Sequence, residues 1–155
     1  MPDLSDLIVP DAVLTEASVP NVRALFAALG TAAAELWGLD ARAVAEGLAA
    51  REKLGTTGFG GGIALPHAKF AALDRVRGLF VRLARPIAFG AIDGLPVDLV
   101  FALLSPVDAG ADHLKALARI SRRLRDRTLA DKLRGAGSRD AIYALLTTGD
   151  ARDAR

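Results

Sequence analysis

"VDLVFALL" occupies residues 97–104, and Asp98 is the one charged side chain in it. A strand with one wet face would alternate apolar and polar residues. A run this short and this continuously apolar fits a central strand buried on both faces. Such a strand needs cover on each side, so the rest of the chain is read for what supplies it. Asp93-Gly94 marks a turn just upstream, Pro96 leads in, and Ser105-Pro106 marks the end of the strand.

Working outward, VRGLFVRL at 76–83 reads as a second strand, and AVLT at 12–15 and residues 63–65 read as shorter ones. Residues 21–36 carry Val22, Leu25, Phe26 and Leu29 at the helical period, with Gly30 as a local weak point. Asp40 is a good N-cap for a second helix over 41–54, and Gly55 a good residue to end it. Downstream, Asp112 is read as the cap of a helix running to about residue 126. Leu114, Leu117, Ser121 and Leu124 are taken as its inward stripe. Two shorter helices are expected near 128–134 and 138–146. The order β-α-α-β-β-β-α-α-α points to an α/β (α+β) three-layer sandwich, a small mixed β-sheet flanked by helices on both faces. Residues 1–150 are expected to form a single domain, with 151–155 a polar C-terminal tail.

Composition narrows the function. The 155 residues include no cysteine, which excludes disulfides, thiol catalysis and cysteine-held metal and fits a reducing cytoplasm. The opening MPDLSDLIVP has two acids and no basic region, so it is not read as a signal peptide. There is no run of about 18 apolar residues, so no membrane insertion is expected. A formal net charge of +2 is close to balance, which gives little reason to expect nucleic-acid binding. The basic stretch RRLRDR at 122–127 is placed opposite the leucine stripe and read as a solvated face.

The chemistry concentrates around TTGFGGGIALPHAKF, residues 56–70. Its glycines do not make a dinucleotide fingerprint, because Ile63 stands where the third glycine belongs and the run leads from helix to strand, the reverse of the required order. A P-loop would end in Gly-Lys-Ser/Thr, and none follows. The glycines either simply turn the chain or let backbone amides approach an anion carried by a nearby side chain.

Only two histidines exist, His67 and His113. His67 sits directly after Pro66 at the rim of an apolar face; it is either a core-edge residue or a shielded imidazole able to react. Arg51 follows Val44 and Leu48 on one helical stripe, so it either caps the helix's last carbonyls or aims at an oxyanion. His113 lies at a helix N-terminus, which favours its neutral form. Together they suit phosphoryl transfer, which needs a nucleophile and groups that neutralise the phosphoryl oxygens. Neutral imidazole is abundant at pH 7. There is no G-x-S-x-G, and the acids do not cluster near either histidine in sequence. Two distant histidines without a metal-binding spacing argue against zinc, and no cofactor is expected.

REKLGTTGFGGGIALPHAK, at 51–69, closely resembles the signature of the mannitol/fructose-type enzyme IIA family of the bacterial phosphotransferase system. PIAFGAIDGLPVDLVFALLSP at 86–106 and DHLKALARIS at 112–121 are similar to that family too. Phe59 and Gly61 depart from its usual pattern. The resemblance implies that His67 is the phosphorylated residue and that His113 and Arg51 stabilise the phosphoryl group. It also implies a donor, the phosphocarrier HPr or its nitrogen-branch relative NPr. The IDG-x-PVDLVFALL wording resembles the nitrogen-regulatory branch, whose phosphorylation state governs partners such as potassium-transport and sensor proteins. The other branch passes the group to a IIB domain for sugar uptake.

Overall fold

A computed structural model describes residues 4–148 of the chain. Strand β6, Val97–Pro106, lies at the centre of the sheet. Every one of its residues is buried except the half-buried Asp98. Antiparallel to it on one side runs β5, Arg77–Ile87, with Phe80 opposite Phe101. Beyond β5, β1, Val13–Ala17, pairs in parallel. On its other side β6 pairs in parallel with β3, Ile63–Ala64, and then with β4, His67–Phe70. Strand β2, Gly58–Gly60, folds back on β3 as a hairpin. The sheet is therefore mixed, with six strands.

Helices α1, Val22–Trp37, and α2, Ala41–Lys53, pack together against one face; α3, Ala111–Leu124, α4, Arg127–Gly135, and α5, Arg139–Thr147, cover the other. Side-chain caps start four of them. Asn21, Asp40, Asp126 and Ser138 each accept hydrogen bonds from amides of the first turn, replacing partners that the helix itself cannot supply. Gly38, at φ +70°, closes α1 in the left-handed conformation. Gly30, read from sequence as a weak point, has a packing reason. A Cβ there would collide with the carbonyl oxygen of Ala41, so its absence lets the start of α2 lie against α1.

The observed order is β-α-α-β-β-β-β-β-α-α-α, with two more strands than the sequence pattern suggests. Strand β2 is Gly-Phe-Gly, a composition with no strand signal. Strand β4 follows Pro66, which reads as a terminator. The proline lacks an N–H, but its carbonyl still accepts from Leu103 N at 2.9 Å, so the pairing with β6 continues past it.

Helix α3 also differs from expectation. Gly110, at φ +56°, is its cap, and Asp112 lies within the first turn with no capping bond. The buried face is His113, Ala116, Ile120, Arg123 and Leu124, while Leu114 is 68% exposed. The inward stripe is thus turned by about one residue from the leucines that seemed to define it. Arg123 sits within that face because its guanidinium donates to the carbonyls of Leu145 and Thr148 at the end of α5, at 2.6 and 3.0 Å. The stretch 122–127 is accordingly not one solvated face: Arg122, Arg125 and Arg127 are exposed and Arg123 is buried. The polar tail falls outside the described residues.

Candidate functional site

Three elements converge where β6 ends. The parallel register sets His67 of β4 opposite Leu103 and Lys69 opposite Ser105. Helix α3 follows β6 after a short loop and brings His113 back in its first turn. Helix α2 lies against β4, and Gly47 makes that approach close, since a Cβ there would press on the Phe70 ring at 2.8 Å. One turn further along α2, Arg51 reaches the same place. His67, His113 and Arg51, which the sequence singles out separately, thus meet.

The hydrogen bonds define the state of His67. Its Nδ1 lies 2.8 Å from the carbonyl oxygen of Leu65. A carbonyl only accepts, so Nδ1 carries the proton and Nε2 keeps its lone pair. Arg51 Nε donates to that Nε2 at 3.2 Å, while Arg51 Nη1 donates to the carbonyl of Gly55 at 3.0 Å. Arg51 thus ties the chain just beyond α2 and addresses the imidazole. Burial, opposed by the Leu65 hydrogen bond and assisted by the Arg51 charge, lowers the pKa of His67 below the ordinary histidine value.

His113 is buried, 6% exposed, and its ring centroid lies 5.5 Å from that of His67 at an angle of 54°. Its Nδ1 is 2.7 Å from Ser105 Oγ. Burial first, then the neighbouring His67 and Lys69, push its pKa down to about 4, so the ring is neutral at pH 7. Glu52, beside Arg51, accepts from the amide and hydroxyl of Thr57 at 2.8 and 2.7 Å and holds the loop after α2. Ser105, Glu52 and the Leu65 carbonyl were not anticipated. Ser105 was legible as the polar residue ending an apolar run; a backbone carbonyl leaves no trace in a sequence.

The glycine run serves a different purpose from an anion cradle. Gly60, Gly61 and Gly62 all have positive φ and form the β2–β3 turn. The Gly61 amide donates to Asp93 Oδ2 at 3.0 Å, and its carbonyl accepts from Arg134. Ile63 pairs with Leu99 and His67 with Leu103, so the turn lies roughly 13 Å along β6 from the histidines. The Gly61 amide is engaged elsewhere, and the turn does not surround His67. Among the described residues, no group of three or more His, Asp or Glu is placed to hold a metal ion. No described helix is long and apolar enough to cross a membrane.

A mixed six-stranded sheet between helical layers thus carries, where β6 ends, an imidazole nitrogen that accepts from an arginine. The sequence matches the family described as phosphoenolpyruvate-dependent sugar phosphotransferase system, EIIA 2, over residues 6–149, and the chain belongs to that family. A nitrogen regulatory protein of Bradyrhizobium diazoefficiens is 52% identical over 143 residues, covering 92% of this chain and 94% of that one. One from Escherichia coli K12 is 46% identical over 117 residues, covering 74% of this chain and 71% of that one. The crystal structure of nitrogen regulatory protein IIA-Ntr from Neisseria meningitidis superposes with a TM-score of 0.88 at 32% identity, covering 93% of this chain and 99% of that one. These relatives support the nitrogen-branch reading of the sequence, and family membership implies phosphocarrier proteins as partners.

Proposed function

We propose that this protein accepts a phosphoryl group on Nε2 of His67 from an HPr-like donor of the nitrogen phosphotransferase branch, NPr, in the cytoplasm. Its phosphorylation state then governs partner proteins, with potassium-transport and sensor proteins as the expected class. The observation that carries this is the His67 tautomer: the Leu65 carbonyl holds the proton on Nδ1, and the unprotonated Nε2 accepts from Arg51, with the His113 ring 5.5 Å away centroid to centroid.

In the transfer step Nε2 gives up its hydrogen bond from Arg51 Nε, and its lone pair attacks the phosphorus of the donor's phosphohistidine. The new N–P bond forms as the donor's N–P bond breaks, and that electron pair returns to the donor's imidazole. The Nδ1 proton stays in place, so the phosphorylated ring is cationic, and the Leu65 carbonyl stabilises it. The Arg51 guanidinium neutralises charge on the phosphoryl oxygens. His113 has its Nδ1 against Ser105 Oγ, so its other ring nitrogen is the one free to meet a phosphoryl oxygen carried by His67. The nitrogen branch is favoured by the names and the 46–52% identities of the relatives above.

The test is intact-mass spectrometry after incubation with enzyme I, the HPr-like donor and phosphoenolpyruvate. Wild type should gain one phosphoryl group and His67→Ala none. A full gain in the variant would remove His67 from its role. Efficient onward transfer to a sugar-specific IIB domain would move the protein to the transport branch.

A further inference from the structure

Ser105 is fully buried at the end of β6, and its Oγ lies 2.7 Å from His113 Nδ1. Two proton arrangements give that contact. If Nδ1 carried the proton it would donate to Oγ, and the serine's own hydrogen would point into the core with no acceptor, because the Ser105 side chain makes no other hydrogen bond among the described residues. If the hydroxyl donates to Nδ1, both groups are satisfied and the ring proton resides on Nε2. Leaving a buried donor unmade biases the choice on the order of ten-fold or more.

We propose that Ser105 is a positioning residue that fixes His113 as its Nε2–H tautomer, so that the nitrogen left free is a hydrogen-bond donor. This rests on the reading that His67 carries the phosphoryl group. With Nδ1 taken by Ser105, Nε2 is the one ring nitrogen of His113 left to meet a group attached to the adjacent His67. An N–H there binds a phosphoryl oxygen, whereas a bare lone pair repels it. Ser105 thus does for His113 what the Leu65 carbonyl does for His67, with the opposite result. The carbonyl, which only accepts, bares Nε2 of His67; the hydroxyl, which donates, loads Nε2 of His113. One ring becomes a nucleophile and the other a donor, although their side chains are chemically identical.

Long-range 1H–15N correlation on the histidine rings reads the tautomers directly. In wild type at pH 7, His113 is expected to show an unprotonated Nδ1 and a protonated Nε2, while His67 shows the reverse. Ser105→Ala should let His113 redistribute between tautomers and slow phosphoryl acceptance by roughly ten-fold. Ser105→Thr, which keeps the hydroxyl, should hold the wild-type tautomer. A protonated Nδ1 on wild-type His113, or an unchanged tautomer in Ser105→Ala, overturns the proposal. The wild-type spectrum needs no substitution, so a variant that fails to fold leaves the test standing. Failure of the parent reading has a different signature: wild-type protein that never gains phosphoryl mass, whatever its tautomers.

Discussion

At His67 the decisive partners are a carbonyl oxygen and a guanidinium, and each has its own consequence. Arg51 Nε is a charge-assisted donor to Nε2, and hydrogen bonds to charged groups contribute about 1.5–3 kcal/mol. Its guanidinium is a positive charge in direct contact with the proposed phosphoryl-accepting nitrogen. Arg51→Ala should therefore shorten the phosphohistidine lifetime by roughly ten-fold or more, as followed by loss of phosphoryl mass with time. An unchanged lifetime would leave Arg51 only its tie to Gly55. The low pKa of His113 has a sign that can be checked. An unfolded chain takes up a proton on this imidazole below about pH 6.5, and the folded one refuses it until about pH 4. Stability should be greatest above the upper value, fall as pH drops through that window, and level off below it. Urea unfolding at pH 7 and pH 5 measures this, and His113→Gln should lose less on acidification than wild type does. Equal losses would mean that His113 titrates normally in the fold.

Among the elements, the meeting of α1, α2 and β4 sets where Arg51 points. Gly30→Ala is a contest between two effects. Helix propensity favours alanine by about 1 kcal/mol, but the new Cβ would collide with a backbone oxygen that no side-chain rotation can relieve. Overpacking of this kind costs about 1–3 kcal/mol, so the substitution should lower the urea midpoint. A raised midpoint would mean that α2 can slide away freely. The same elements mark the limits of reading a sequence. VDLVFALL announced a strand covered on both faces, and β6 is one. The cap Asp40 was visible because its chemistry is local. The continuation of β4 past Pro66 was not, because it depends on which way a carbonyl faces a neighbouring strand. The buried face of α3 was misjudged because leucine outranks alanine and arginine on any hydropathy scale, while Leu114 lies outside and Arg123 inside. What placed Arg123 was the end of α5, more than twenty residues away. The site followed the same division: three side chains were legible by type and spacing, Ser105 only as the polar end of an apolar run, and the Leu65 carbonyl not at all.

Across the whole molecule, arginine acts as a fastening as much as a charge. Arg82, in the middle of β5, donates to the carbonyls of Leu133 and Ala136 at 2.9 and 2.6 Å and so ties off the end of α4. Arg123 does the same for α5, and Arg134 grips Asp98 through two bonds of 2.9 Å. The excess of 20 basic over 18 acidic residues therefore describes packing at least as much as it describes a surface field. Arg82→Met keeps the apolar stem but strands those carbonyls, and should cost on the order of 3 kcal/mol in chemical denaturation. A neutral result would mean that water serves the end of α4 equally well. The layers hold the pieces of one small site, and a single atom of it, Nε2 of His67, is the proposed point of phosphoryl attachment. The direct measurement is 15N–31P coupling in 15N-labelled protein phosphorylated by the HPr-like donor. Coupling from phosphorus to Nε2 of His67 is the expected result. Phosphorus on Nδ1 of His67, or on any other residue, would remove Nε2 of His67 from its proposed role.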